Sequence, residues 1–319
     1  VKAIRVANGK TAIDTNSPEP APGTGHALLA VTMAGICATD LEIVRGYMSF
    51  EGVLGHEFVG TVLAGPRHLK GKRVVCEINC VCGKCEMCQS GLSTHCRNRT
   101  VLGIAGRDGC FAEHIAVPET NLHEVPDGIS NEEAVFVEPV AAAIQVTKQV
   151  PVEPRMRVAV LGSGRLGLLV AQVLRTVGCR LELIGRNSDS LLVGEKKGIQ
   201  STLVADVAPR NDRDLVVDCT GSPQGLELAM RLVRPRGTIV LKSTFAQAAP
   251  INTAPLVVNE IELRGSRCGP FPDAIKMLAR KQIDVLTMIS KRFPLDRGLE
   301  ALEAAADPRN IKVLLRIAS

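Results

Sequence analysis

Apolar and polar positions change rhythm once along this chain, near residue 130. Before that point, short apolar runs are separated by Gly and Pro: His26-Ala-Leu-Leu-Ala-Val-Thr, Phe58-Val-Gly-Thr-Val-Leu, Arg73-Val-Val-Cys-Glu-Ile and Phe111-Ala-Glu-His-Ile-Ala-Val. Runs of that length between turn residues predict an irregular β domain. Residues 131–148 then predict a helix, Pro151 and Pro154 a break, and beyond them strand-like and helix-like segments alternate. The predicted strands are 157–161, 181–184, 202–204, 215–218, 238–241 and 261–264. Strands alternating with helices predict a parallel sheet. After Gln282, an amphipathic helix over 295–305 and an apolar strand over 311–317 remain, and the strand is expected to return and pair with the first domain.

Length and composition narrow the picture. A chain of 319 residues exceeds one comfortable core, which predicts two domains. The apolar stretch 166–171, flanked by Arg165 and Arg175, is far shorter than the roughly 20 residues of a membrane span. A net charge of +5 is modest, the Lys and Arg residues are scattered, and with no Trp, one Tyr and seven Phe there is little on which bases could stack. Neither a nucleic-acid nor a membrane partner is expected, whereas an anionic small molecule remains open.

Cysteine carries the first chemistry. Cys82-Gly-Lys-Cys85-Glu-Met-Cys88 puts three thiols on one loop, and seven further residues allow Cys96 to supply a fourth. Four thiolates close a tetrahedral zinc to water and substrate, so this zinc is expected to be structural. Disulfides of an exported protein are the competing reading. The opening Val1-Lys2-Ala3-Ile4 carries no signal-like segment, and the remaining seven of eleven cysteines form no even framework. A reducing cytoplasm is therefore expected, and the sequon at Asn98 is read as chance.

Between an apolar strand and a helix, Gly162-Ser163-Gly164-Arg165-Leu166-Gly167 has G-x-G-x-x-G spacing. Gly162 permits the tight turn, Gly164 lets the backbone approach a pyrophosphate, and Gly167 lets helix and strand pack closely; the phosphates then sit at the helix N-terminus. An NAD site ordinarily places an acid about 20 residues further on, but the second strand here ends Gly185-Arg186-Asn187. Without a carboxylate, Gly185 leaves room for a 2′-phosphate and Arg186 offers a guanidinium fork, favouring NADP over NAD. Thr220-Gly221 and Ser243-Thr244 lie at strand C-termini where the nicotinamide and its ribose should rest. A merely solvated Arg186 is the competing reading.

Three further segments carry residues suited to an open metal site: Gly35-Ile-Cys37-Ala-Thr39-Asp40, Gly55-His56-Glu57 and Phe136-Val-Glu138-Pro139. With the cysteine loop and the glycine motif, they make nearly the whole chain resemble the zinc-dependent medium-chain dehydrogenase/reductase superfamily, which includes alcohol, polyol, threonine and glucose dehydrogenases. The resemblance implies an α/β protein: a GroES-like β catalytic domain (1–128 and 283–319) and a doubly wound Rossmann domain (129–282). By the same resemblance Cys37, His56 and an acid at Glu57 or Glu138 hold a catalytic zinc, and Cys82, Cys85, Cys88 and Cys96 a structural one. A catalytic zinc keeps three protein ligands and one open position, so the two glutamates are expected to alternate. Asp40 should orient His56.

The implied activity is hydride transfer between NADP(H), or less readily NAD(H), and an alcohol/carbonyl pair. Thr39 resembles the family's hydroxyl relay. Glu42 stands where the family often has a histidine, and is read either as an outer proton acceptor or as a solvated side chain. The segment 45–50, mixed in polarity, should line the substrate pocket and points with Glu42 and Glu138 to a polyol, sugar or hydroxy-acid derivative. Alternatives are an NADPH-dependent aldehyde or ketone reductase, and a non-catalytic zinc- and nucleotide-binding redox sensor. The family also implies a homodimer or homotetramer, paired edge to edge near 261–264.

Overall fold

In a computed structural model of the chain, residues 1–46, 49–244 and 251–317 are described. Tyr47 and Met48, at the centre of the expected pocket segment, lie outside them. The chain divides into two compact units. The first comprises Val1–Glu138, Ala274–Arg280 and Ile289–Ser319; the second comprises Pro139–Asp273 and Lys281–Met288.

The first unit is built on the long strand His26–Gly35, in which Ala27, Leu29, Val31 and Met33 alternate into the core. It pairs antiparallel with Glu57–Ala64, with His114–Pro118 and with the tail strand Lys312–Arg316. The tail thus does return to the first domain. Alternation with period two puts every second side chain on the buried face. Phe111, Leu29, Leu54 and Phe58 fill the space beneath it. The expected helix over 131–148 is two helices, Asn131–Ala134 and Val137–Gln149. Ser130 starts the first with a reciprocal capping box to Glu133.

The strands of the second unit, numbered from its own N-terminus, are β1 (Arg157–Leu161), β2 (Arg180–Gly185), β3 (Gln200–Leu203), β4 (Arg213–Asp218), β5 (Val233–Leu241) and β6 (Glu262–Gly265). All pair in parallel, in the order β3-β2-β1-β4-β5-β6. This is a doubly wound sheet whose order reverses between β1 and β4, and ligands of such sheets bind beyond the strand C-termini at that reversal. Buried Gln172 keeps the late segment Lys281–Met288 in this unit: its Nε2 donates to Asp284 O (3.1 Å) and its Oε1 accepts from Asp284 N (2.8 Å). Among the described residues, no helix is long and apolar enough to cross a membrane.

Candidate active site

Cys37 stands at the N-terminus of helix Ala38–Val44, where Asp40, three residues on, accepts from the Cys37 backbone N–H at 2.8 Å. That bond anchors the helix start and fixes Asp40 with no exposed surface. Its other oxygen, Oδ1, lies 3.3 Å from Nδ1 of His56, itself 3% exposed, and among the described residues neither atom has another partner. Burial works against protonation of His56, but Asp40 and then Cys37 work for it, and together they raise its pKa well above the ordinary imidazole value. The cluster is therefore tuned for positive charge.

One donor atom each from Cys37, His56 and Glu57 lies within 4.8 Å of the others. Thiolate, imidazole and carboxylate are zinc's usual donors, and Asp40 facing Nδ1 is the outer partner that a ligating histidine requires. The residues therefore fit a catalytic zinc. Thr39 Oγ1 is 3.8 Å from Cys37 Sγ. Glu138, half-buried in the first turn of Val137–Gln149, is not a member of the three-donor group. Glu42 pairs with Arg45 at 2.6 Å, and both side chains are exposed.

Lys312 is a residue that the sequence reading missed. It opens the tail strand, is 2% exposed, and its Nζ ion-pairs with Glu57 Oε2 while donating to Ile36 O at 3.2 Å. The Phe136 ring lies 5.6 Å away beneath the ammonium. Glu57 thus has a fixed cationic partner besides any metal. The available signal was a lysine at an inward position of the apolar run Ile311-Lys-Val-Leu-Leu-Arg-Ile317.

The four-cysteine loop forms its own group. Neighbouring sulfurs are 3.5 Å (Cys85–Cys88), 3.7 Å (Cys85–Cys96) and 3.5 Å (Cys96–Cys82) apart. The edge of a tetrahedron with Zn–S of 2.3 Å is about 3.8 Å, so the four thiols fit zinc. Backbone N–H groups of Lys84 and Cys85 lower the Cys82 thiol to about 6. Partial loss of solvent, then the neighbouring thiols of Cys85 and Cys96, push Cys88 up to about 12. Sulfurs this crowded do not all ionise without a cation between them. All eleven cysteines are free thiols.

In the second unit, Gly162 has φ of +96°, and a Cβ at Gly167 would stand 1.7 Å from Gly162 O, so the turn and the close packing both demand glycine. Gly164 caps helix Arg165–Val177 with backbone alone, and Leu166 lies half-buried in its first turn. Ser163 is turned inward, its Oγ 2.5 Å from Ser190 Oγ. At the tip of β2, Gly185 is buried, while Arg186 is exposed and, among the described residues, has no ion-pair partner. Asn187 spends its side-chain oxygen on capping helix Ser188–Glu195. After β4, Asp218 accepts from Thr220 N (2.9 Å) and Oγ1 (2.7 Å). The structure brings Gly221 beside Ser243 and Thr244: a Cβ on it would lie 3.7 Å and 3.6 Å from them.

Two family profiles match the chain: "Alcohol dehydrogenase GroES-like domain" over residues 23–127 and "Zinc-binding dehydrogenase" over 166–281. An L-threonine 3-dehydrogenase of Streptomyces avermitilis is 30% identical over 93% of this chain and 94% of its own length. A sorbitol dehydrogenase of Halalkalibacterium halodurans is 28% identical over 93% of each. Among solved structures, an alcohol dehydrogenase of Escherichia coli CFT073 complexed with NADH superposes with a TM-score of 0.91 at 26% identity over 99% of both chains. A Sinorhizobium meliloti 1021 protein assigned to the zinc-binding dehydrogenases, bound to NADP, does so with 0.89 at 28% over 99% of both. The chain belongs to the zinc-dependent medium-chain dehydrogenase/reductase superfamily, as an oxidoreductase of its alcohol/polyol dehydrogenase type that uses zinc and a nicotinamide cofactor. This places it among enzymes and sets aside the sensor reading.

Proposed function

We propose that the protein is an NADP(H)-dependent dehydrogenase of a polar secondary or primary alcohol, a polyol, sugar or hydroxy-acid derivative. The buried donor group of Cys37, His56 and Glu57 carries this reading. Relatives named as sorbitol and D-arabitol-phosphate dehydrogenases support the substrate class. When bound, zinc supplies Lewis acidity at the alcohol oxygen and the nicotinamide accepts hydride. The chain's own residues do the rest. Asp40 holds His56 in one tautomer, and the Thr39 hydroxyl takes the alcohol proton and passes it outward. Glu57, paired with Lys312, and Glu138 are the two carboxylates that would share the third ligand position of a zinc held by Cys37 and His56. The four cysteines hold a second, structural zinc.

Arg186, exposed at the β2 tip, supports NADP over NAD. The test is kcat/KM for a panel of polyols, sugar acids and simple alcohols, and the corresponding carbonyls, with both cofactors and with Arg186→Ala. Loss of NADP preference on that substitution is expected, at about 1.5–3 kcal/mol for a hydrogen bond to a charged group. Preference for NAD with an unchanged variant, or turnover of aliphatic alcohols alone, would sink the respective half of the reading. Exposed Leu263 on edge strand β6, and exposed Val257 and Val258 in the preceding helix Ala254–Val258, support pairing with a second copy. Sedimentation of Val258→Lys should then show a smaller species. The free thiols favour a reducing compartment such as the cytoplasm.

A further inference from the structure

A buried carboxylate ends β4. Asp218 is 4% exposed, and its backbone carbonyl accepts from Lys242 N at 2.9 Å, which joins the ends of β4 and β5. Its Oδ1 accepts twice from Thr220, from N at 2.9 Å and from Oγ1 at 2.7 Å. Thr220 Oγ1 in turn accepts from Ser222 N and Ser222 Oγ, both at 3.3 Å, and Ser222 Oγ accepts from Gly225 N at 3.2 Å in the first turn of helix Pro223–Leu232. Each donor in this series faces toward the carboxylate. The packing leaves no slack, since a Cβ on Gly225 would stand 1.8 Å from Thr220 Oγ1 and 2.8 Å from Asp218 Oδ1.

These bonds limit what the turn can offer a ligand. A hydroxyl has one proton and two lone pairs. Thr220 gives its proton to Asp218 and its lone pairs to the two Ser222 donors, so its side chain keeps nothing for a further partner. Gly221, between the two residues, takes φ of +63° beside Ser243 and Thr244. Burial pushes the Asp218 carboxyl above its ordinary range, and the two Thr220 bonds work against that. A buried carboxylate is tolerated only when hydrogen-bonded, so releasing the turn would leave it bare.

A dinucleotide crosses the reversal between β1 and β4 with its pyrophosphate on the helix after β1. The tip of β2, with Arg186, takes the adenosine side, so the nicotinamide side falls to the ends of β4 and β5. We propose that Asp218 is a positioning residue for the nicotinamide half, a role that rests on the dinucleotide reading above. Acting through the Thr220 hydroxyl, it holds the Thr220-Gly221 turn in the form that admits the cofactor, which meets the backbone of this turn rather than the Thr220 side chain.

The experiment measures dissociation constants of NADPH and NADH by titration calorimetry, with Tm alongside, for the natural protein, Asp218→Ala, Asp218→Asn, Thr220→Val and the double variant Asp218→Ala with Thr220→Val. If freeing the turn leaves about one molecule in ten in the competent form, Asp218→Ala raises the constant about tenfold. Asp218→Asn keeps an oxygen that accepts from both Thr220 donors and should restore most of the affinity. Thr220→Val should weaken binding as much as Asp218→Ala, and the double variant no further, because the two residues act as one unit.

Unchanged binding by folded Asp218→Ala, with only Tm lowered, overturns the proposal, and so does Asp218→Asn as weak as Asp218→Ala. Losses that multiply in the double variant would put the Thr220 side chain on the cofactor itself and overturn it equally. Should Asp218→Ala not fold, Thr220→Val against Thr220→Ser decides: the serine keeps the hydroxyl and should bind as the natural protein does, and equal binding by the valine variant overturns the proposal. A natural protein that binds neither cofactor would instead overturn the dinucleotide reading, and this inference with it.

Discussion

The two metal-suited groups of the first unit are built on opposite plans. Cys82, Cys85, Cys88 and Cys96 come from one stretch of chain and are mostly half-exposed, held by local bonds such as Cys82 N–H to Cys96 Sγ at 3.4 Å. Cys37, His56 and Glu57 come from two separate segments, and His56 and Glu57 are buried. Asp40 and Lys312 brace them, the latter from the far end of the chain. A local loop can organise ligands with little help from the fold, whereas the scattered site exists only once the sheet has formed. The first plan suits a closed metal that stabilises a lobe. The second suits a metal that keeps one position open.

Removing the thiol of the scattered site should have the largest effect. Cys37→Ser is expected to lower kcat/KM by at least about 10³-fold, the several kcal/mol that a Lewis-acid metal supplies. Elemental analysis should show one zinc lost and the other kept, with NADP(H) binding intact. Equal loss of both metals would mean that the two groups are not independent.

Next comes the buried ion pair. Lys312→Met leaves Glu57 buried without its cation and should cost about 3–5 kcal/mol in urea unfolding. The double variant Lys312→Met with Glu57→Gln should recover much of that loss. No recovery would show that Lys312 acts through packing on Phe136 rather than through charge.

Cys88→Ser in the local loop is expected to lower Tm by about 5–10 °C, at about 2–4 °C per kcal/mol for a chain or domain of this size. Molecules still folded should retain kcat. A kcat that falls with Tm would place the loop in the chemistry. Asp40→Asn should weaken catalytic-zinc affinity by about 10–100-fold, the effect typical of an outer partner of a metal-bound histidine, as read by chelator competition.

The exposed pair Arg292–Glu132, joined by two bonds, gives the lower end of the scale. Arg292 holds the Glu132 carboxyl below the usual range. A lowered folded pKa adds stability above the unfolded value of about 4.3, and that stability is lost as pH falls through the folded value. Solvent screening keeps it under about 1 kcal/mol, so Glu132→Gln should flatten the acid limb of the stability curve only slightly.

Legibility followed the same division. The cysteine loop and the glycine motif read directly from spacing, because ligands or turn residues a few positions apart are constrained by local backbone geometry. The alternating strand and helix signals predicted the parallel sheet for the same reason. Their order, with β1 central and β4 across the reversal, is a matter of long-range pairing. Arg186 was visible as a residue at a strand tip, but its lack of an ion-pair partner among the described residues is a property of the folded surface. Asn187 and Glu42 were visible as polar residues in sequence, and the fold adds that Asn187 caps a helix and that Glu42 forms an exposed pair with Arg45.

By itself the sequence determined the parallel sheet, the four-cysteine loop and the glycine turn, since each depends on periodicity or on short spacings, and the family resemblance carried the scattered ligands Cys37, His56 and Glu57. Only the tertiary structure decided that Lys312, 255 positions from Glu57, pairs with that carboxylate beside Cys37 and His56. A lone lysine in an apolar run has no partner on the page of a sequence. Burying it is tolerable only where the fold supplies a carboxylate or carbonyls to replace water, and those come from elsewhere in the chain.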